Sequence, residues 1–269
     1  MTGRVVIVGA GPGDPELITL RGWRALQEAD VVVYDSLVDE RLLEGLDCEL
    51  IFAGKRCGRH SMSQERITEL VANLALAGKQ VVRLKGGDPT MLGRTGEETL
   101  RLAVLGIAFE IVPGVSSALA APAAAGIPVT HRGLADSVCV VSAHRREDQP
   151  DFSIPPYSPR TTLVLLMAVQ TVEIWSRQLR QQGYPADLAV AFITAGTTAE
   201  QKVLTTTVEH AAAAAAAATL GSPTLAVVGR VVELGRSLAW FEQRQRPRRR
   251  LNRRSRGLQA AAVLLPVAH

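Results

Sequence analysis

Short apolar runs alternate with helix-like segments from residue 5 to residue 112, and this alternation constrains the fold more than any other feature of the chain. Strand-like runs are expected at 5–8, 31–34, 50–53, 81–84 and 109–112, with helices over 16–28, 64–77 and 96–105. Strands separated by helices pair in parallel, and a parallel sheet must be covered on both faces. The predicted class is therefore α/β. Sheets of this kind bind ligands beyond the carboxyl ends of their strands. Two glycine-rich loops fall at such ends: Gly9-Ala10-Gly11-Pro12-Gly13-Asp14-Pro15 and Gly86-Gly87-Asp88-Pro89.

The pattern changes after residue 112. Pro113-Gly114-Val115-Ser116-Ser117 leads into an Ala-rich helix over 118–125, which Gly126-Ile127-Pro128 stops. Strand-like runs then recur at 138–142, 162–167, 188–193, 203–206 and 225–228. They are closer together, with fewer helices between them, so some antiparallel pairing is expected. A proline-bearing loop covers 148–159, and the alanines of 211–218 read as a helix or a soft linker. We expect two α/β domains, 1–114 and 115–243, followed by a basic, disordered tail over 244–269.

The net charge of +4 belongs to that tail: eight arginines and no acid lie beyond Glu242, so the rest of the chain is net acidic. An acidic body argues against nucleic-acid binding, and a solvated extension is the simpler reading of the arginines. No apolar run is long enough to span a bilayer, and the N-terminus lacks a signal-peptide pattern. Cys48, Cys57 and Cys139 have neither metal nor disulfide spacing. A reduced, cytoplasmic protein without a metal site is expected.

The glycine loops let backbone approach a ligand closely. They are poor phosphate cradles, because Pro12 and Pro89 remove N–H donors and Asp14 and Asp88 repel anions. Gly9 and Gly11 begin a dinucleotide fingerprint, and Asp35 sits near the position of its ribose-binding acid. Asp14, however, stands where the third glycine belongs. The loops suit a ligand that is neutral or cationic at this point.

A series of ordered motifs resembles the tetrapyrrole methylases that use S-adenosylmethionine. They include Val8-Gly9-Ala10-Gly11-Pro12-Gly13-Asp14-Pro15, Ala29-Asp30-Val31-Val32-Val33-Tyr34-Asp35 and Arg83-Leu84-Lys85-Gly86-Gly87-Asp88-Pro89. Gly93-Arg94-Thr95-Gly96-Glu97-Glu98, Val112-Pro113-Gly114-Val115-Ser116-Ser117-Ala118, Gly126-Ile127-Pro128-Val129-Thr130-His131-Arg132 and Leu238-Ala239-Trp240-Phe241 follow. Gly54-Lys55-Arg56-Cys57-Gly58-Arg59-His60-Ser61 is similar to the branch that methylates uroporphyrinogen III. The resemblance implies two α/β domains with the cofactor between them, in a homodimer. It also implies two methyl transfers from S-adenosylmethionine to uroporphyrinogen III, giving precorrin-2 and S-adenosylhomocysteine, on the route to sirohaem and cobalamin. A later precorrin intermediate is the alternative substrate. The length leaves no room for the dehydrogenase–chelatase unit fused to some relatives, so a monofunctional enzyme is expected.

By match to the family's motifs, cofactor contacts are implied at Pro12, Gly86, Gly87, Asp88, Met91, Ser116, Ser117, Met167, Gly196 and Thr224. For Met167 a place in the core is the alternative. Asp35 matches the family's proton acceptor, with a helix N-cap as the alternative, and Lys55 its proton donor or a substrate anchor. Arg56, Arg59, His60, Arg94, His131 and Arg132 are candidates for binding the substrate's carboxylates, for which arginine forks are well shaped. The chain departs from the usual pattern at Ser116-Ser117, at Thr90-Met91-Leu92, and at Ala195, where the family commonly has Asn.

Overall fold

The computed structural model describes residues 2–54, 62–144, 153–238 and 240. Among these residues ten strands form two five-stranded sheets. The first contains β1 (Arg4–Gly9), β2 (Val31–Tyr34), β3 (Glu49–Phe52), β4 (Gln80–Lys85) and β5 (Ala108–Val112). Its order is β3-β2-β4-β1-β5, with every pairing parallel. All five carboxyl ends therefore share one edge, and the two glycine loops leave adjacent strands there.

Alternation along each strand feeds two cores. On one face Val5, Ile7, Val31, Val33 and Val81 pack under α2 (Gln64–Leu76) and α3 (Thr95–Val104). On the other face Val6, Val8, Val32, Val82 and Leu84 pack with Leu26 of α1 (Leu20–Gln27). The single helix expected over 16–28 is broken: a short 3-10 turn, Pro15–Leu17, comes first, and α1 restarts at Thr19. The Thr19 hydroxyl accepts the Gly22 N–H at 3.1 Å, an N-cap that competes with continuing the turn.

α4 (Ser117–Ala124) crosses to the second sheet, made of β6 (Ser137–Ser142), β7 (Thr161–Leu166), β8 (Ala189–Thr194), β9 (Lys202–Thr207) and β10 (Thr224–Val228). Its order is β6-β7-β10-β8-β9. Only β6 and β7 pair in parallel; β10 and β9 run against their neighbours. α5 (Val172–Gln181) and α6 (Ala211–Ala217) cover one face, where Trp175, Leu179 and Phe192 are fully buried. The buried Trp175 indole N–H donates to Ala168 O at 2.7 Å, so the largest core side chain leaves no polar atom unsatisfied. α7 (Gly235–Leu238) is the last helix among the described residues.

Candidate active site

The two glycine loops are joined backbone to backbone. Gly87 N donates to Gly11 O at 2.6 Å, and Gly11 N donates to Gly87 O at 3.2 Å. A third segment closes in behind them. A Cβ on Gly9 would lie 2.6 Å from Gly114 Cα, and one on Gly114 would lie 2.3 Å from Gly87 O. No side chain fits at either position, so three loops pack as bare backbone. Gly87 differs: it needs its positive φ of 68°, and a Cβ there would find Ser117 N, at 3.8 Å, as its nearest neighbour. The backbone thus leaves an open cradle beside the start of α4.

The loop aspartates turn inward. Asp14 accepts the Glu16 N–H at 3.0 Å and caps the 3-10 turn. Asp88 accepts from Thr90 N at 2.8 Å and from Gly114 N at 3.1 Å, tying the second loop to the third. Burial works against its charge. Hydrogen bonds from the Thr90 hydroxyl and from the N–H groups of Thr90, Gly114 and Met91 outweigh it and hold the carboxyl below its ordinary value.

Loops of the second sheet form the opposing wall. Asp14 N donates to Thr197 Oγ1 at 3.2 Å, and a Cβ on Gly13 would lie 2.7 Å from Thr198 Cγ2. Gly196 sits against α4, where a Cβ would lie 2.3 Å from that of Ala121. Ala195 and Thr197 hold positive φ of 46° and 73°, and Met167 holds 59°. Met167 is 46% exposed, so it is not core. Thr224 is buried, and its hydroxyl is engaged by Gly221 O and by Thr194 Oγ1 at 2.7 Å. Among the expected cofactor residues, the hydrogen bonds and close approaches tie Gly87, Asp88, Ser117 and Gly196 into one contiguous region. Met91 lies exposed in the loop after Asp88, and Ser116 caps α4 through the Ala118 N–H at 3.3 Å.

Asp35 follows β2 at the same edge of the parallel sheet. It caps a turn rather than a helix: Oδ1 accepts the Leu37 N–H at 3.0 Å, and Oδ2 lies 3.8 Å from Arg83 Nη2. Gly54, where a Cβ would lie 2.6 Å from Ser36 N, is the last residue of the first described segment and lies next to Asp35. The expected Lys55, Arg56, Arg59 and His60 lie outside the described residues, as does the tail. Arg94 is paired with Glu97 at 2.6 Å and half-exposed. His131 and Arg132 lie in an exposed turn closed by His131 N donating to Ala135 O at 2.8 Å. Among the described residues, no hydrogen bond joins that turn to the glycine loops.

Sequence reasoning missed Arg83, Lys85 and Glu98, which are 3%, 5% and 3% exposed directly beneath the site. Lys85 Nζ donates to both Glu98 oxygens at 3.1 Å. The signal was available: two cations two residues apart in an otherwise apolar strand point to one face of a sheet buried on both sides.

The matches to known proteins agree with this architecture. Residues 4–212 match the family model described as Tetrapyrrole (Corrin/Porphyrin) Methylases, and the chain belongs to that family. It is 47% identical to a siroheme synthase of Nitrosospira multiformis, over 89% of this chain and 52% of that protein. It is 45% identical to a uroporphyrinogen-III C-methyltransferase of Methanocaldococcus jannaschii, over 87% of this chain and 98% of that one. The chain therefore spans about half the length of the siroheme synthases and nearly all of the archaeal enzyme. A uroporphyrin-III C-methyl transferase from Thermus thermophilus, solved with S-adenyl homocysteine, superposes with a TM-score of 0.74 at 37% identity, covering 86% of this chain and 94% of that chain.

Proposed function

We propose that this chain is an S-adenosylmethionine-dependent C-methyltransferase that converts uroporphyrinogen III to precorrin-2 by two methyl transfers, releasing S-adenosylhomocysteine each time. The observation that carries the reading is the nearly end-to-end match to the free-standing archaeal enzyme. The cradle beside Gly87 supports the cofactor: it offers open backbone, and its aspartates are spent on holding loops rather than repelling a ligand.

When bound, the cofactor supplies an electrophilic methyl group on sulfur. Gly87, Asp88, Ser117 and Gly196 would hold it, with Pro12, Gly86, Met91, Ser116, Met167 and Thr224 around them. The protein's main contribution is alignment, since a near-attack geometry is worth on the order of 7–11 kcal/mol. Asp35 takes the proton released as the methylated tetrapyrrole rearranges. The Leu37 N–H holds this carboxylate at a strand end, which supports that role. Lys55 returns a proton or anchors the substrate. Arg56, Arg59, His60, Arg94, His131 and Arg132 bind its acetate and propionate groups.

The chain divides into units at 1–114 and 115–243 with a basic tail, and it acts as a cytoplasmic homodimer. Leu100 and Val104, one turn apart on α3, are 70% and 78% exposed, which supports a covered face in the assembly. No helix among the described residues is long and apolar enough to cross a membrane. The test is incubation with uroporphyrinogen III and methyl-labelled S-adenosylmethionine, followed by mass spectrometry. A product carrying two labelled methyl groups is expected. No label on uroporphyrinogen III, with label on a later precorrin supplied in its place, would transfer the assignment to that substrate.

A further inference from the structure

The buried charges under the site do not balance by themselves. β4 contributes two cations, Arg83 and Lys85, and α3 contributes one anion, Glu98. Glu98 is the hub: its Oε1 accepts from Gln64 Nε2 at 2.8 Å and from Arg83 Nε at 3.3 Å, and both its oxygens accept from Lys85. Arg83 Nη1 donates to Leu84 O at 3.0 Å and to Val33 O at 3.3 Å. The guanidinium is thus fixed from three directions, and its remaining nitrogen, Nη2, lies 3.8 Å from Asp35 Oδ2.

Asp35 is the second anion of the cluster and the one that reaches the surface, with its side chain 25% exposed. Burial and the neighbouring Arg83 push the Lys85 ammonium below its ordinary lysine value, against the pull of Glu98 and Asp35. An apolar residue would be cheaper at either cationic position, since buried ion clusters rarely outperform packed hydrocarbon. The neighbours of Arg83 in the sheet, Ile7 and Val33, are of that kind. The cluster opens toward solvent at the ligand-binding edge, where Asp35 stands.

We propose that Arg83, locked by Glu98, is a positioning residue that fixes the Asp35 carboxylate for proton acceptance. The proposal rests on the role given to Asp35 above. It is tested with the full chain by a double-mutant cycle of Arg83→Gln and Asp35→Asn, reading kcat and KM for uroporphyrinogen III and calorimetric affinity for S-adenosylhomocysteine. Arg83→Gln leaves Lys85 and Glu98 as a neutral pair, so the fold is expected to survive. Its kcat is expected to fall about 10- to 100-fold, the usual range for residues that orient a site's ligands. KM and cofactor-product affinity should stay within about twofold of wild type. In the Asp35→Asn background the same change should cost nothing further. Arg83→Lys keeps the charge and should show a smaller loss of the same pattern; it carries the test if the glutamine variant does not fold. An equal loss of kcat in both backgrounds, or an unchanged kcat for Arg83→Gln, overturns the positioning role alone. Full turnover by Asp35→Asn overturns it together with the role of Asp35. A wild-type chain that binds S-adenosylhomocysteine but yields no labelled product overturns the methyltransferase reading as well.

Discussion

Both sheets have five strands, yet they bury different chemistry. Beneath the parallel sheet's ligand edge lie Arg83, Lys85 and Glu98, whereas the buried polar residues of the mixed sheet's region are threonines: Thr162, Thr171, Thr197 and Thr224. Threonine can satisfy itself with one backbone carbonyl, as Thr171 does with Ala143 O. A buried cation needs a partner held in place by other partners. The parallel half therefore holds charge where a proton can be moved, and the mixed half offers a neutral wall. Left-handed non-glycine backbone is common to both halves, at Leu92 and Arg94 in the first and at Met167, Ala195 and Thr197 in the second, so it is the buried charge that separates them.

The sharpest way to break this contrast is to injure each core and to attempt a charge repair of the second. Trp175→Ala empties the mixed sheet's core and is expected to cost about 3–5 kcal/mol of stability. Glu98→Gln leaves two buried cations without their hub and is expected to cost a similar amount, about 3–5 kcal/mol. Adding Lys85→Met to Glu98→Gln should restore most of that loss, because Arg83 then faces Asp35 alone. Urea unfolding of the three variants decides it; a double variant no more stable than Glu98→Gln would show that shape, not charge balance, governs the cluster.

Gly114→Ala tests the meeting of the loops. Its Cβ would lie 2.3 Å from Gly87 O, and a loss of about 1–3 kcal/mol is expected, with weakened binding of S-adenosylhomocysteine by calorimetry. Gly45→Ala, whose Cβ meets nothing within 4 Å but whose φ is +74°, is the control for backbone strain alone.

Asp88→Asn removes a charge-assisted tie between loops and should cost about 1–2 kcal/mol at neutral pH. The folded carboxyl lies below its ordinary value of 3.8, so its stabilisation is present above that pH and is lost as pH falls through the folded value. The gap between wild type and variant should accordingly be constant from pH 7 to 5 and shrink below 3.8. Unfolding midpoints across that series check the sign.

The smallest effect is expected in the mixed half. Ala195→Gly relieves a left-handed residue at φ 46° and should raise stability by up to about 1 kcal/mol, read as a higher melting temperature. A lower melting temperature would mean that the loop is not strained.

The strands were legible because β-branched runs have few alternatives in a covered sheet; β2 falls on the expected residues 31–34. The break before α1 was not, because Thr19 as a cap competes with a helical period that runs through it. α5 was missed: it follows β7 closely, and its buried contacts are chiefly Trp175 and Leu179, too few to stand out as a stripe. α6 is alanine throughout and has no periodicity to read. At the site, the glycine loops announced themselves by composition. What they touch did not, since Gly9 and Gly114 meet only in three dimensions. The ion cluster was half legible: Arg83 and Lys85 alternate within one apolar strand, but their partners at 35 and 98 come from other elements and no local pattern links them to it.

The reciprocal pair of hydrogen bonds between Gly11 and Gly87 has a consequence for how the site breathes. Neither amide can exchange its hydrogen with solvent until the pair separates, so the two loops share a single opening event rather than two independent ones. A ligand that closes over either loop slows the exchange clock of both. The first and fourth strands, whose paired residues lie 76 apart in the chain, thus keep time together at the ligand-binding edge of the sheet.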